Sequence, residues 1–230
     1  MMSLDAADYD AITFDCYGTL IDWRRGITQV LRPILENHDV SVDEDTLFEQ
    51  YLAFEADVEG GDYVPYREVL RRVTRRLGTH FDFTPTNADA ERLADSVSTW
   101  PPFADTNDGL RRLQEDFRLA VVSNVDDDLF EETARHFSVS FDTVVTGEQV
   151  GRSKPALDPL ATAFSRLGAP PNRVLHVAQS VYHDLNPAGR LGLACVWVRR
   201  YDGRFTDAEP RTAPAATVPD LATLADMLLV

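Results

Sequence analysis

Ala11, Ile12, Thr13 and Phe14 form a short, mostly apolar run that ends on a carboxylate, Asp15, and breaks at Gly18. A run of this kind reads as a buried strand of a parallel sheet. From residue 24 the spacing becomes helical. Ile27, Val30, Leu31, Ile34 and Leu35 share one face of a predicted helix over 24–38. A second helix is predicted over 46–58, opened by Asp43 or Asp45 and stopped by Gly60 and Gly61. A third spans 66–77 and ends at Gly78. A fourth spans 87–99 and is closed by Trp100, Pro101 and Pro102. No strand signal occurs between 24 and 99.

Beyond Phe103 strands and helices alternate. Strands are predicted over 119–123, 143–146, 174–177 and 194–198. Helices are predicted over 126–137, 158–167 and 184–191, the last two stopped by Gly168 and Gly192. Residues 204–218 read as a loop, and 220–229 as a terminal helix. One strand, a helical block and then a β/α series predict an α/β fold with a Rossmann-like parallel sheet. Its core would comprise 1–23 and 100–230, with a helical cap, 24–99, inserted after the first strand. The cap would cover the sheet edge where Asp15 lies, hinged near 22–23 and 100–102.

Charge narrows the partners. With 38 acidic and 22 basic residues the net charge is −16. This argues against nucleic acid and anionic membranes as partners. An acidic, hydrated surface suits a high-salt cytoplasm, so a halophilic source is expected. No run reaches the roughly 18 apolar residues of a membrane span. The opening MMSLDAADYD lacks the apolar stretch of a secretory signal, and a cytoplasmic location is expected. Cys16 and Cys195 give neither a disulfide framework nor metal-ligand spacing, and read as reduced, buried thiols. One count changes the picture further. Lys154 is the only lysine among the 22 basic residues, which makes it a candidate for chemistry.

Taken singly, Thr19 and Ser123 read as turn formers and Asp184 as a helix cap. Taken together, four strand ends carry polar groups that could meet at one sheet edge: Asp15 with Thr19, Ser123 with Asn124, Lys154, and Asp184 after Gln179 and Ser180. In open α/β sheets that edge is where ligands bind. Asp15 would be a nucleophilic carboxylate. Thr19, Ser123 and Asn124 would orient it, and Lys154 would keep it ionised. Asp184 would hold Lys154, position a water or help bind a metal.

The motifs FDCYGTL, Ser123-Asn124, Lys154-Pro155 and VAQSVYHD, in that order, resemble those of the haloacid dehalogenase superfamily. The resemblance covers most of 10–198 and implies catalytic roles for Asp15, Thr19, Ser123, Asn124, Lys154 and Asp184. It assigns Tyr17 and Ser180 to substrate binding. Phosphatases of the superfamily have a second Asp where this chain has Tyr17, and usually GD where it has Ala178-Gln179. The D-x-Y-G-T pattern is similar to that of the 2-haloacid dehalogenase branch, which works without metal. The resemblance therefore implies a (S)-2-haloacid dehalogenase acting on a small anionic substrate without cofactor. A Mg²⁺-dependent phosphatase, with Asp15, Asp184 and the Tyr17 carbonyl as ligands, is the alternative. A catalytically silent binding protein is a third possibility. The sequence leaves a homodimer open.

The chain also departs from that branch. The branch's halide-cradling cap arginine aligns with Glu49, and Arg24, Arg25 and Arg67 are the substitutes to test. Leu160 stands where the branch has a tyrosine. His183 could be a general base or a solvent-facing residue, and His176 reads as a sheet residue. Tyr51, Phe54, Tyr63 and Tyr66 could line a cap pocket, while Trp100 and Phe103 read as hinge packing.

Overall fold

A computed structural model describes residues 4–205 and 209–229. Its centre is a six-stranded, wholly parallel sheet in the order β3-β2-β1-β4-β5-β6. The strands are β1 (Ala11–Phe14), β2 (Arg118–Ser123), β3 (Thr143–Thr146), β4 (Val174–Ala178), β5 (Ala194–Val198) and β6 (Ala216–Val218). The order runs outward from β1 in both directions, so the crevice between β1 and β4 is the topological switch point. Phe14 pairs with Val121 of β2 and Val177 of β4, which sets Asp15 beside the ends of both neighbours.

Alternation along the strands divides the apolar side chains between two cores. Ile12, Phe14, Leu119, Val121, Leu175 and Val177 join one cluster. Ala11, Ala120, Val122, Val174 and Ala178 join the other. Burial on both faces explains the unbroken apolar runs.

Between β1 and β2 lie five α-helices and no strand, the first four being α1 (Trp23–Asn37), α2 (Glu44–Glu59), α3 (Tyr66–His80) and α4 (Asn87–Ala94). Asp22 caps α1 and Asp43 caps α2, each by a side-chain oxygen accepting a backbone N–H. The apolar faces of these helices, including Ile27, Leu31, Phe48, Leu70 and Leu93, pack into the same cluster as Phe14. After β1 the remaining helices are α5 (Thr106–Leu113), α6 (Asp127–Ala134), α7 (Gly147–Val150), α8 (Asp158–Leu167), α9 (Asn186–Arg190) and α10 (Leu221–Leu228). Among the described residues no helix is long and apolar enough to cross a membrane.

Several elements differ from the sequence reading. Gly78 does not end α3, which runs on to His80. A Cβ on Gly78 would come within 2.3 Å of Pro85, so the glycine serves close packing rather than a stop. The fourth helix ends at Ala94 and resumes as a 3₁₀ turn, Val97–Thr99. There Ser96 Oγ accepts from Trp100 Nε1 at 3.0 Å. α6 stops three residues short of the predicted end. The segment predicted as a helix over 184–191 begins as a π-helical turn, Val181–Leu185, capped by Ser180. Asp184 lies within that turn and caps nothing. α5, α7 and β6 were not predicted, and part of the loop expected over 204–218, residues 206–208, lies outside the described residues. So do the chain ends, 1–3 and 230.

Candidate active site

β1 delivers Asp15 to the sheet edge, and its backbone N–H still donates to Val177 at 3.1 Å. The chain then folds back on itself. The Cys16 carbonyl accepts from Leu20 and Ile21 at 2.7 and 3.0 Å. Gly18 makes this turn with φ +90°, and a Cβ there would stand 2.9 Å from Trp23 Nε1. The turn returns the Thr19 hydroxyl to the carboxylate. Thr19 Oγ1 donates to Asp15 Oδ2 at 2.7 Å and accepts from the Gln179 N–H at 3.0 Å.

Lys154 is buried, at 1% exposure. Its three N–H bonds meet three acceptors: Asp15 Oδ1 at 2.8 Å, Asp184 Oδ1 at 2.7 Å and the Val122 carbonyl at 2.9 Å. His176, on β4, sits 3.1 Å from Asp184 Oδ1 and 2.9 Å from Thr13 Oγ1. Asp184 Oδ2 is buried without a hydrogen-bond partner. Burial pushes the Asp15 carboxyl up, against the pull of Lys154. Burial opposes ionisation of Asp184 as well, but Lys154 and His176 bring it down to about 2. Burial alone would lower the Lys154 ammonium, yet the two carboxylates hold it above its ordinary value. The trio is a fixed anion–cation–anion chain.

The other predicted site residues surround this chain without all touching it. Ser123 ends β2 and lines the cavity over Asp15. Asn124 lines it too, but its hydrogen bonds go elsewhere than Asp15. Its Oδ1 accepts from the Lys154 N–H at 2.7 Å and its Nδ2 donates to the Lys154 carbonyl at 3.0 Å. Asn124 therefore positions the loop that carries Lys154. Ser180 lines the cavity and accepts from the His183 N–H at 3.1 Å. The Tyr17 hydroxyl is 2.8 Å from Thr133 Oγ1, and its ring stacks on Tyr66 and meets Trp100 edge-on. Burial raises the Tyr17 phenol, which stays protonated at neutral pH.

The helical insertion closes the site from above. Trp23, Glu55, Glu59 and Tyr66 line a cavity of about 40 Å³ together with Asp15, Lys154 and Asp184. Glu55 Oε1 accepts from the Tyr51 and Tyr66 hydroxyls, each at 2.7 Å, yet burial pushes its carboxyl up to about 7. Asn124 Nδ2 donates to both Glu59 oxygens at 3.2 Å, and His183 Nε2 lies 3.2 Å from Glu59 Oε2. Burial would lower the His183 imidazolium, but Glu59 more than offsets it and raises it.

The sequence reading missed Glu55 and Glu59, and it left His183 undecided between base and solvent. A signal existed, since Tyr51, Glu55 and Glu59 recur every four residues and share one face of α2. Among the cap aromatics proposed as a pocket, Tyr66 lines this cavity and Tyr51 is buried behind Glu55. Glu49 is exposed and does not line the cavity. No proposed halide arginine reaches the cavity. Arg24 pairs with Glu44 and Asp45, Arg67 pairs with Asp128, and Arg25 is exposed. Leu160 is buried in the core. Phe103 stacks beneath Arg200, whose guanidinium lies 4.0 Å from the ring centroid. Arg200 had no sequence signal, yet it donates to the Thr19 carbonyl at 3.1 and 2.9 Å.

Residues 9–192 match the sequence model of the haloacid dehalogenase-like hydrolases. A (S)-2-haloacid dehalogenase from Pseudomonas fluorescens is 26% identical over 219 residues, covering 94% of this chain and 95% of that protein. The 5-amino-6-(5-phospho-D-ribitylamino)uracil phosphatase YigB from Escherichia coli is 25% identical over 237 residues, covering 95% of each. Among solved structures, the L-2-haloacid dehalogenase from Xanthobacter autotrophicus with chloropropionic acid covalently bound superposes with a TM-score of 0.79. It is 19% identical and the match covers 95% of this chain and 98% of that one.

Proposed function

The chain belongs to the haloacid dehalogenase-like hydrolases, and on that premise we propose that it is a (S)-2-haloacid dehalogenase. Tyr17 carries the reading. Its phenol, bonded to Thr133 and kept protonated, stands where the superfamily's phosphatases have a second carboxylate. Position 17 thus offers Asp15 no acid for a phosphoryl leaving group. Displacing halide needs no such acid, because halide leaves unprotonated.

In this reading residues 24–99 act as a cap over a catalytic core of 1–23 and 100–230. An Asp15 oxygen attacks C2 of a short 2-haloacid, and the carbon–halogen electron pair leaves with the halide. Thr19 and Lys154 hold the carboxylate for attack. Water then adds to the Asp15 carbonyl carbon, oriented by the unpartnered Asp184 Oδ2. The acyl–oxygen bond breaks, a proton is released, and an (R)-2-hydroxyacid departs. No cofactor takes part. Ser123 and Ser180 would face the substrate carboxylate.

A Mg²⁺-dependent phosphatase is the second reading, favoured by the unpartnered oxygen of Asp184. Asp15, Asp184 and the Tyr17 carbonyl would hold the ion, which would neutralise charge on a phosphoryl group. Lys154 weighs against it, since it already engages both carboxylates.

The two readings differ in where water attacks. A single turnover is run in ¹⁸O-water with enzyme in excess over 2-chloropropionate, and the peptide containing Asp15 is weighed. Label is expected in Asp15 and not in the hydroxyacid. Label in the hydroxyacid would mean direct attack at C2 and remove Asp15 as nucleophile. Label only in phosphate, released from a phosphate ester, would decide for the phosphatase.

A further inference from the structure

Asp126 opens α6 from the N-cap position, with φ −75° and ψ 152°, the extended backbone of a capping residue. Its side chain nevertheless makes no bond to α6. It turns to the helical insertion instead. Asp126 Oδ1 accepts from the Tyr66 N–H at 2.7 Å, and Oδ2 accepts from the Arg67 N–H at 3.1 Å. These are the first two residues of α3, whose own N-cap, Pro65, makes no side-chain bond. The core thus lends α3 a cap that α6 goes without. Asp126 is 5% exposed, so both bonds are shielded from water, and the helix dipole favours a carboxylate at this end.

The residue held in this way is part of the reaction cavity. Tyr66 lines the space over Asp15. Its hydroxyl donates to Glu55 at 2.7 Å, and its ring stacks on Tyr17 with centroids 6.4 Å apart. Arg67 also reaches back to Asp128, at 2.7 and 2.8 Å, but that pair is exposed and open to screening by salt. Asp126 is two residues beyond Asn124, which binds the Lys154 backbone at both its N–H and its carbonyl. Residues 123–126 therefore grip the Lys154 loop on one side and the start of α3 on the other. The cation of the site and the aromatic wall over it are aligned through one short segment.

We propose that Asp126 is a positioning residue of the reaction, which caps α3 from the core and so fixes Tyr66, and Glu55 behind it, relative to Asp15 and Lys154. Asp126 itself touches no reacting atom. Without it α3 would keep its buried apolar face, but its first turn would lose its reference to the core. A displaced cavity wall misplaces substrate against Asp15, and small misplacements are costly to turnover. The role is the same for any substrate of this site, although its kinetic test rests on the dehalogenase reading.

Capping and placement can be separated by moving the cap. Asp126→Ala removes it, and adding Pro65→Asp supplies a new one from α3's own chain. Three quantities are measured on the full chain: the melting temperature, the kinetics with 2-chloropropionate, and the nuclear Overhauser contact between the Tyr17 and Tyr66 rings. The last two are taken well below the melting transition. Asp126→Ala should lower the melting temperature, cut kcat/KM at least about 10-fold and weaken the ring contact. Adding Pro65→Asp should restore the melting temperature and neither of the others. Activity and ring contact that return with the melting temperature would make Asp126 a helix cap and nothing more, and overturn the proposal. A parent-like kcat/KM in Asp126→Ala would overturn it too. Should Asp126→Ala fail to fold, Asp126→Asn, which keeps one acceptor, replaces it with the same expected directions. No haloacid turnover by the parent chain would sink the dehalogenase reading, and the ring contact would then decide alone. Its loss in the doubly substituted chain supports the placement role, and its persistence overturns it.

Discussion

Lys154 shows how much one side chain can reveal. The chain uses arginine at every other basic position, and arginine's planar fork suits carboxylates at a surface. A compact ammonium fits where three acceptors crowd a single point, and Asp15, Asp184 and Val122 do so. That singularity was visible in the composition, and Asp15 and Thr19 were visible in their turn. Asn124 was visible as a residue, but its work on the Lys154 backbone was not, because a motif names a position and not its hydrogen bonds. Glu55 was hidden in an amphipathic helix, where a carboxylate every fourth residue reads as a solvated face. Its burial has a consequence for stability. The pKa rises from 4.5 to about 7 on folding, so the folded state holds its proton more tightly than the unfolded one. Below about pH 4.5 both states carry the proton and Glu55 has no effect. Between there and about pH 7 the unfolded chain ionises first, and stability falls. Above that the loss is complete, on the order of 3 kcal/mol. Glu55→Gln should flatten this decline when urea midpoints are compared from pH 5 to 8. An unchanged slope would mean that Glu55 is not protonated in the fold.

At the scale of elements, legibility followed the clarity of the apolar period rather than length, since α4 was read and α5 was missed at the same eight residues. The strands of the inner sheet and the four helices of the insertion have enough turns or apolar positions for their period to show. α5 has eight residues with Gly109 in the middle, and β6 has three. Both are stable because of what they touch. A Cβ on Gly109 would fall 2.7 Å from Leu221, so α5 and α10 pack through this glycine. Arg200 draws these late elements toward the site. Its guanidinium donates to Asp105 at 2.8 and 3.0 Å, and Asp105 accepts from the Leu221 N–H at 2.8 Å. The same guanidinium binds the Thr19 carbonyl, one residue's width from the hydroxyl on Asp15. Arg200 is thus a positioning residue that ties the α5 and α10 starts to the turn after Asp15. Lysine could reach one of these acceptors but not span both. Arg200→Lys should lower kcat about 10-fold with KM nearly unchanged, a loss of about 1.4 kcal/mol at the transition state. An equal rise in KM instead would assign Arg200 to substrate binding or to general stability.

For the whole molecule the deciding quantity is charge density. The net charge of −16 is spread over 10301 Å², roughly one uncompensated charge per 640 Å², or a spacing of roughly 25 Å. The Debye length is about 30 Å at 0.01 M salt and about 10 Å at 0.1 M. Repulsion among evenly spread charges would therefore be screened well below molar salt. Carboxylates in this chain are not evenly spread. Asp43, Glu44 and Asp45 follow one another, as do Asp126, Asp127 and Asp128. Arg24 relieves part of the first cluster and Arg67 part of the second, and the remainder is relieved only as the Debye length falls toward about 3 Å near 1 M. Surface ion pairs such as Arg71–Glu91 and Arg112–Asp226 weaken over the same range, but such pairs are worth about 0–1 kcal/mol each. The melting temperature should accordingly rise in two stages, steeply up to about 0.2 M KCl and then more slowly into the molar range. Sucrose, which stabilises by exclusion without screening, should reproduce neither stage at matched osmolality. A plateau from about 0.2 M onward would reduce the acidic surface to a solubility device. A melting temperature that falls with salt would show that the ion pairs outweigh the repulsion, and the high-salt reading of this sequence would be lost.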